Sequence, residues 1–291
     1  MINIKRSLEK NNGYWFIAPQ MILVLLFIII PVFKGFQMSA FSKYGRKEVF
    51  VGFDNFKFLF EDPIFRQAIV NTIFFIVAIV VVTIVFALFV STTVFDKNSK
   101  YLGLIRTSYY LPVMVSMLVM SVIWKMLLNP ANGVITWLLE IVGFEGMNLL
   151  GNPNTVMPVI VFVTFVGNVG QAILIYLATM IGIPKDYFEA ADLDGASRWA
   201  KIRHIIIPLV KPTTLYLIIT NIVAVLKIFV VIQQLTGGGP NNASVTMMYY
   251  LYQNAFVYNR SGVSAAIGVL MFVIALVLSI PQMKSYLKGD K

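Results

Sequence analysis

The chain has no cysteine and a single histidine, His204. A disulfide, a thiolate metal site and a cysteine nucleophile are therefore excluded, and one histidine cannot build a histidine-rich metal centre. Charge is the next scarcity. Only 12% of the 291 residues are charged, about half the share of a soluble domain, while 58% are apolar. Charge-free stretches run over 11–33, 67–95, 107–124, 146–184, 212–226, 228–259 and 261–283. About 20 mostly apolar residues cross a bilayer as a helix. These stretches exclude a soluble domain, a disordered chain and a secreted disulfide scaffold.

Enzyme signatures are missing as well. The sequence has no G-x-x-x-x-G-K-[ST], H-E-x-x-H or G-x-S-x-G. No carboxylate falls within an expected span, which argues against a proton or sodium relay. The net charge of +10 does not require nucleic acid, because Lys and Arg collect in the cytoplasmic loops of membrane proteins.

What remains is an all-α, polytopic membrane protein of one domain, 1–291. Six spans are expected at about 14–33, 68–95, 107–128, 157–183, 213–235 and 265–283. The first is too long for a signal-peptide core and lacks a small-x-small cleavage site before Lys34. With both termini inside, the inner segments hold fourteen basic residues and the outer segments seven. The inner set includes Lys5, Arg6, Lys10, Lys97, Lys100, Arg106, Lys185, Arg198, Lys201 and Arg203; Lys284, Lys288 and Lys291 follow the last span. That bias favours cytoplasmic termini. The outer loop 130–156 carries Glu140 and Glu145 and no base, and its apolar stretch around Trp137 suits a helix lying at the outer interface. Lys125 and Lys227 are the two charges within spans. Lys125 is close enough to an outer end to snorkel, whereas Lys227 meets either an anionic substrate or backbone carbonyls.

The inner loop 184–212 is the most informative segment. It reads as two short helices broken at Gly195, with Asp186 capping the first, Glu189 closing a capping-box-like arrangement, and Pro208 ending the second. Tyr187, Phe188, Ala190 and Ala191 give the first helix a small, partly apolar face. That pattern fits either a partner surface or a connector lying on the membrane.

Glu189-Ala190-Ala191-x-x-Asp194-Gly195-Ala196, with Pro208 twelve residues after Ala196, resembles the E-A-A loop of the membrane subunits of binding-protein-dependent ABC importers. Ile202 stands where that family usually has Phe, which keeps the apolar character. The resemblance implies a type I importer permease fold and makes 184–210 a cytoplasmic coupling loop. Tyr187, Phe188, Glu189, Ala190, Ala191, Asp194, Gly195 and Ala196 would then meet an ATP-hydrolysing subunit. It also implies partners: a homologous second permease, two ATPase subunits and an extracellular substrate-binding protein. No cofactor is expected on this chain; ATP and Mg belong to the partner ATPases.

Phe50-Val-Gly-Phe-Asp-Asn-Phe56 and Asp62-Pro-Ile-Phe-Arg-Gln-Ala-Ile-Val-Asn-Thr72 are similar to the first outer loop and second-span entry of the carbohydrate importers in that family. Leu235-Thr-Gly-Gly-Gly-Pro240 and Met248-Tyr-Tyr-Leu-Tyr-Gln-Asn-Ala-Phe256 are similar to their loop between spans five and six. Gly237, Gly238 and Gly239 allow positive φ and Pro240 fixes the next φ, so the segment reads as a tight turn; the resemblance also implies that the binding protein contacts it. Positions counted from Glu189 and Pro240 correspond to a sugar path in the related maltose subunit. In this sequence they hold Thr164, Gly167, Asn168 and Gln171 on span four, and Asn221, Ala224, Val225 and Ile228 on span five. Each set follows i, i+3, i+4, i+7, one face of a helix. Amides there bond either sugar hydroxyls or a neighbouring helix. The expected role is import of a sugar or oligosaccharide across a bacterial cytoplasmic membrane, with glycerol-phosphate or another anionic polyol as the alternative substrate. An ion-coupled secondary carrier is the alternative from another class.

Overall fold

The computed structural model describes residues 16–44, 47–97, 99–144 and 146–289. Lys5, Arg6, Lys10, Arg46, Glu145 and Lys291, which enter the orientation argument, lie outside the described residues, as do the side chains of Lys284 and Lys288. Two compact units divide the chain, one of 1–61 with 251–270 and one of 62–250 with 271–291.

In the first unit, helix α1 (Phe16–Ser39) leads into a hairpin of β1 (Phe41–Tyr44) and β2 (Lys47–Phe50), then helix α2 (Asp54–Glu61). The described residues are predominantly helical, as the all-α expectation has it, and this short hairpin is an addition to that architecture. Its strands are four residues each, paired antiparallel from Phe41 opposite Phe50 to Tyr44 opposite Lys47. Asn55 holds the corner: its buried Nδ2 donates to Ser39 O (2.8 Å) and Phe41 O (2.9 Å). Gly262 lies so close to Phe41 that a Cβ there would press on its carbonyl group, at 3.1 Å from the carbon.

The second unit contains α3 (Pro63–Val94), α4 (Ser99–Met114), α5 (Met117–Leu127), α6 (Val134–Ile141), α7 (Pro153–Ile181), α8 (Lys185–Leu193), α9 (Arg198–Leu209), α10 (Lys211–Leu226) and α11 (Val230–Leu235). Helix α12 (Met247–Tyr252) runs into a π-turn, and α13 (Ser261–Gly289) closes the chain. Helix α3 starts on Asp62, whose side chain accepts from Ile64 N (2.8 Å), with Pro63 at a position that needs no donor. It packs along α7 through Val80, Ile84, Ala87, Val90 and Val94, set against Val169, Ala172, Ile173, Tyr176, Leu177 and Met180. Burying each such side chain stabilises a water-soluble core by about 1.5–3 kcal/mol, but against lipid tails the gain comes from close packing. Gly170 permits that closeness: a Cβ there would fall 2.7 Å from the Tyr109 carbonyl carbon.

Four helices are long and apolar enough to cross a membrane, and two bent pairs bring the number to six among the described residues. The bent pairs differ from the expected straight spans. The segment expected as 107–128 is α4 and α5, bent by 92°. Ser116 takes an extended ψ of 143° and accepts from Val119 N, so the chain starts a new helix there, four residues after Pro112. The segment expected as 213–235 breaks after Leu226. Lys227 is the C-cap, Phe229 leaves helical geometry (φ −136°), and Thr246 Oγ1 donates to the freed Ile228 O (3.1 Å). Helix α6 coincides with the expected outer-loop helix, with Trp137 and Glu140 on it.

Candidate functional site

The inner loop is two helices joined by a Schellman turn. Gly195 takes φ +68°, its N–H reaches Asp192 O (3.1 Å), and Ala196 N–H reaches Ala191 O (2.9 Å). Ser197 then caps α9 by accepting from Ala200 N. The expected cap by Asp186 is corrected: Pro184 occupies the N-cap and Asp186 lies in the first turn with no capping bond. There its charge favours the helix dipole instead. Glu189 closes no box; its side chain is exposed with no partner among the described residues. Pro208 comes one residue before the helical segment ends at Leu209, and the chain bends by 62° into α10.

The eight expected loop residues divide by face. Phe188 turns inward, its ring 5.7 Å from that of Phe95, and Ala191 and Ala196 are half-buried. Tyr187, Glu189, Ala190, Asp194 and Gly195 are exposed. Sequence reading missed Leu193, which is 91% exposed and completes the stripe Asp186, Glu189, Ala190, Leu193 at i, i+3, i+4, i+7. Applying helical spacing to Glu189 would have found it. Trp199, 67% exposed, was missed too. Polar clasps complete the loop. Lys201 pairs with Asp192 across the turn. Arg198 Nη2 lies 2.9 Å from Thr93 O, 3.3 Å from Thr92 O and 3.2 Å from Asp96 Oδ1. The two carbonyls are among the last of α3, which lack helical partners. A cleft of about 680 Å³ lies beneath the loop, bordered by Phe95, Asp96, Phe188, Arg198 and Ile202. His204 is exposed, with Nδ1 3.0 Å from Ala200 O.

The expected pathway residues are less uniform. Asn168 Nδ2 donates to Thr164 O (2.7 Å) and Asn221 Nδ2 to Leu217 O (2.8 Å), each a bond to its own helix. Each amide keeps its oxygen and a second N–H, and both residues are half-buried. Gln171 and Ala224 are exposed. Thr164 is buried and bonds Ile160 O, while Val225 and Ile228 are buried. Gly167 faces Met117, 2.9 Å from a Cβ position, so it accommodates packing. Ile228 cannot share a helical face with Asn221, because α10 stops at Leu226. Tyr176 OH donates to Thr214 Oγ1 (2.9 Å) where α7 and α10 meet. Asn168 precedes Tyr176 by eight residues and Asn221 follows Thr214 by seven, which places the two amides at similar depth on antiparallel helices. Both spans' lysines sit at helix ends: Lys125 in the last turn of α5, Lys227 at the C-cap of α10.

Residues 97–282 match the family described as binding-protein-dependent transport system inner membrane component. The chain belongs to that family. The match takes in the inner loop and the pathway candidates and makes the chain an inner-membrane permease subunit rather than an enzyme. Among relatives, the Probable ABC transporter permease protein YurN of Bacillus subtilis (strain 168) is 32% identical, covering 97% of this chain and 98% of that protein. The arabinooligosaccharides transport system permease protein AraP of the same organism is 30% identical, covering 95% and 88%. A crystallised bacterial ABC transporter involved in import of the acidic polysaccharide alginate contains a chain of the same fold, with a TM-score of 0.87 over 99% of this chain and 100% of that one, at 24% identity.

Proposed function

We propose that this permease subunit carries a sugar or oligosaccharide inward as half of a membrane channel, with a homologous permease as the other half. An external binding protein delivers the substrate, and two ATPase subunits hold ATP and Mg. The loop 184–210 transmits their closure to the spans. Both termini lie on the ATPase side, as the distribution of basic residues favours.

The observation that carries this reading is the division of α8 into two faces. Phe188 roots the helix while Tyr187, Glu189, Ala190 and Leu193 point away from the bundle. An exposed patch of Tyr187, Ala190 and Leu193 edged by Asp186, Glu189 and Asp194 suits a groove with apolar walls and basic rims. The substrate path in this reading is lined by Asn168, Gln171, Asn221 and Ala224, with Thr164, Gly167, Val225 and Ile228 as packing behind them. The α10 C-terminus accounts for Lys227 without a substrate charge, which supports a neutral sugar over an anionic polyol.

The test is reconstitution in lipid with the ATPase subunits and binding protein, supplying arabino- and malto-oligosaccharides in parallel with sn-glycerol 3-phosphate. ATP-dependent uptake of a neutral oligosaccharide is expected. Uptake that persists without ATP and collapses with the ion gradient overturns the importer reading; selective uptake of the phosphate ester overturns the sugar reading alone.

A further inference from the structure

Helix α3 is held at both ends by polar contacts to loops on opposite sides of the membrane. Its last turn carries the inner loop, through Arg198 on Thr92 O, Thr93 O and Asp96 and through Phe188 on Phe95. Its first turns carry the segment 236–250. Buried Asn71 donates through Nδ2 to Val245 O (2.9 Å) and Asn242 O (3.2 Å), while its oxygen accepts from Gln67 (2.9 Å). Thr72 Oγ1 accepts from Met247 N (3.0 Å), and Tyr250 bonds Asp62. All of these residues belong to one compact unit.

The two ends differ from an ordinary pair of loop anchors in what joins them. After Pro63, α3 contains no Gly or Pro and no break through Val94. The helix pairs 100–127 and 198–226 are each bent by more than 60°, and α7 contains Pro158, Gly167 and Gly170. Asn71 and Thr93 are 22 residues apart, roughly 33 Å along a continuous helix. The segment 236–250 is knit to itself as tightly as to α3. Thr236 Oγ1 and Ser244 Oγ are 2.7 Å apart, Ser244 Oγ donates to Gly239 O (2.7 Å), and Tyr249 packs on Gly238. A displacement of the α3 N-terminus therefore moves that segment as a piece.

We propose that α3 is the rod that carries motion of the inner loop directly to the outer segment 236–250, with Arg198 and Asn71 as the positioning residues at its two ends. The proposal rests on the reading of 184–210 as the loop that meets the ATPase. Arg198 is outside the exposed stripe on α8 and its guanidinium is turned to α3, so it acts through the helix rather than on a partner.

This chain has no native cysteine, so a single introduced cysteine can be labelled on it before the partner subunits are added. Bimane is attached singly through His204→Cys on α9 or Ala243→Cys in the outer segment, and the full complex is then assembled in lipid. Fluorescence is read before and after trapping with MgATP and vanadate. In the parent both labels shift. With Arg198→Ala the inner label still shifts and the outer shift is lost; with Asn71→Ala the same pattern holds. Loss of a charge-assisted hydrogen bond predicts about a ten-fold fall in ATPase stimulation by loaded binding protein for Arg198→Ala. The double variant is expected to be no worse than the poorer single one, although sites this far apart are ordinarily additive. Arg198→Lys keeps the pairing with Asp96 and gives a partial loss, which reports on the same contact if the alanine variant fails to assemble. An outer label that still shifts in Arg198→Ala, or multiplicative losses in the double variant, overturns the rod. An inner label that does not shift in the parent overturns the coupling reading instead.

Discussion

The inner loop and the candidate sugar path use polar residues in opposite ways. In the loop, backbone and side-chain bonds are closed internally by the Schellman turn, the Ser197 cap and the Lys201–Asp192 pair, which leaves Leu193, Tyr187 and Glu189 uncommitted at the surface. In the path, the amides of Asn168 and Asn221 are partly committed to their own helices. Lipid supplies no hydrogen-bond partner, so an intramembrane amide must hold a partner whether or not a ligand reaches it. The loop faces water and is under no such constraint. A candidate docking surface can therefore be read from what is left over, whereas a candidate transport path must be read from what is only half used.

The sharpest way to break that comparison is at Gly195. A Cβ there meets nothing within 4 Å, so the obstacle to substitution is φ +68° and not a clash. Gly195→Val resists that conformation and dissolves the Schellman turn. Uptake and binding-protein-stimulated hydrolysis are expected to vanish while the chain still inserts, as measured by paired transport and ATPase assays. Transport at the parent ratio to hydrolysis would remove the loop from the mechanism.

A smaller loss is expected on the exposed stripe. In the docking proposed above, Leu193→Asp places a charge where the partner would bury an apolar side chain; a buried Leu contributes about 1.5–3 kcal/mol, so ATPase affinity is expected to fall roughly ten-fold or more. Glu189→Lys is expected to weaken it more than Glu189→Gln, because Glu189 caps nothing and its charge is free for a base on the partner. Equal effects of Lys and Gln, read by co-purification and titration of the ATPase subunit, would show that the charge has no partner.

Several-fold effects are expected from the path. Asn221→Ala and Asn168→Ala each remove an oxygen and an N–H available to a hydroxyl, at a cost of about 1–3 kcal/mol if substrate is bonded there. Uptake should fall with assembly intact, and Val225→Ala should alter stability instead, because Val225 is only 4% exposed. Unchanged uptake in both asparagine variants returns the amides to helix packing.

How much of this was legible in the sequence follows from the range of each interaction. Long apolar helices such as α3 and α7 were legible because the apolar runs that form them are continuous, and the loop turn because Gly195 announces a positive φ within one residue. The bend at Ser116 and the break at 227–229 lie inside apolar runs, and the second is completed by Thr246, eighteen residues on. The partners of Arg198 are Thr92, Thr93 and Asp96, more than a hundred residues away. The hairpin at 41–50 is too short for alternation to stand out, and its corner depends on Asn55 reaching back to Ser39 and Phe41. Local signals were readable; bonds between distant segments were not.

The smallest expected effect sharpens the comparison from the path side. Lys227 is exposed at the C-cap of α10, where a cation next to the last carbonyls contributes about 0.3–1 kcal/mol. Lys227→Gln removes that contribution and no substrate contact, so uptake of a neutral oligosaccharide should stay within about two-fold of the parent. The Lys125→Gln change, in the last turn of α5, should behave alike. Uptake of sn-glycerol 3-phosphate gives the contrast: were Lys227 a counter-charge, its loss would cost about ten-fold or more for the anion and nothing for the neutral sugar. A charge that serves the helix end affects both substrates equally and weakly, so a selective loss of the anion would move Lys227 from the helix terminus into the path.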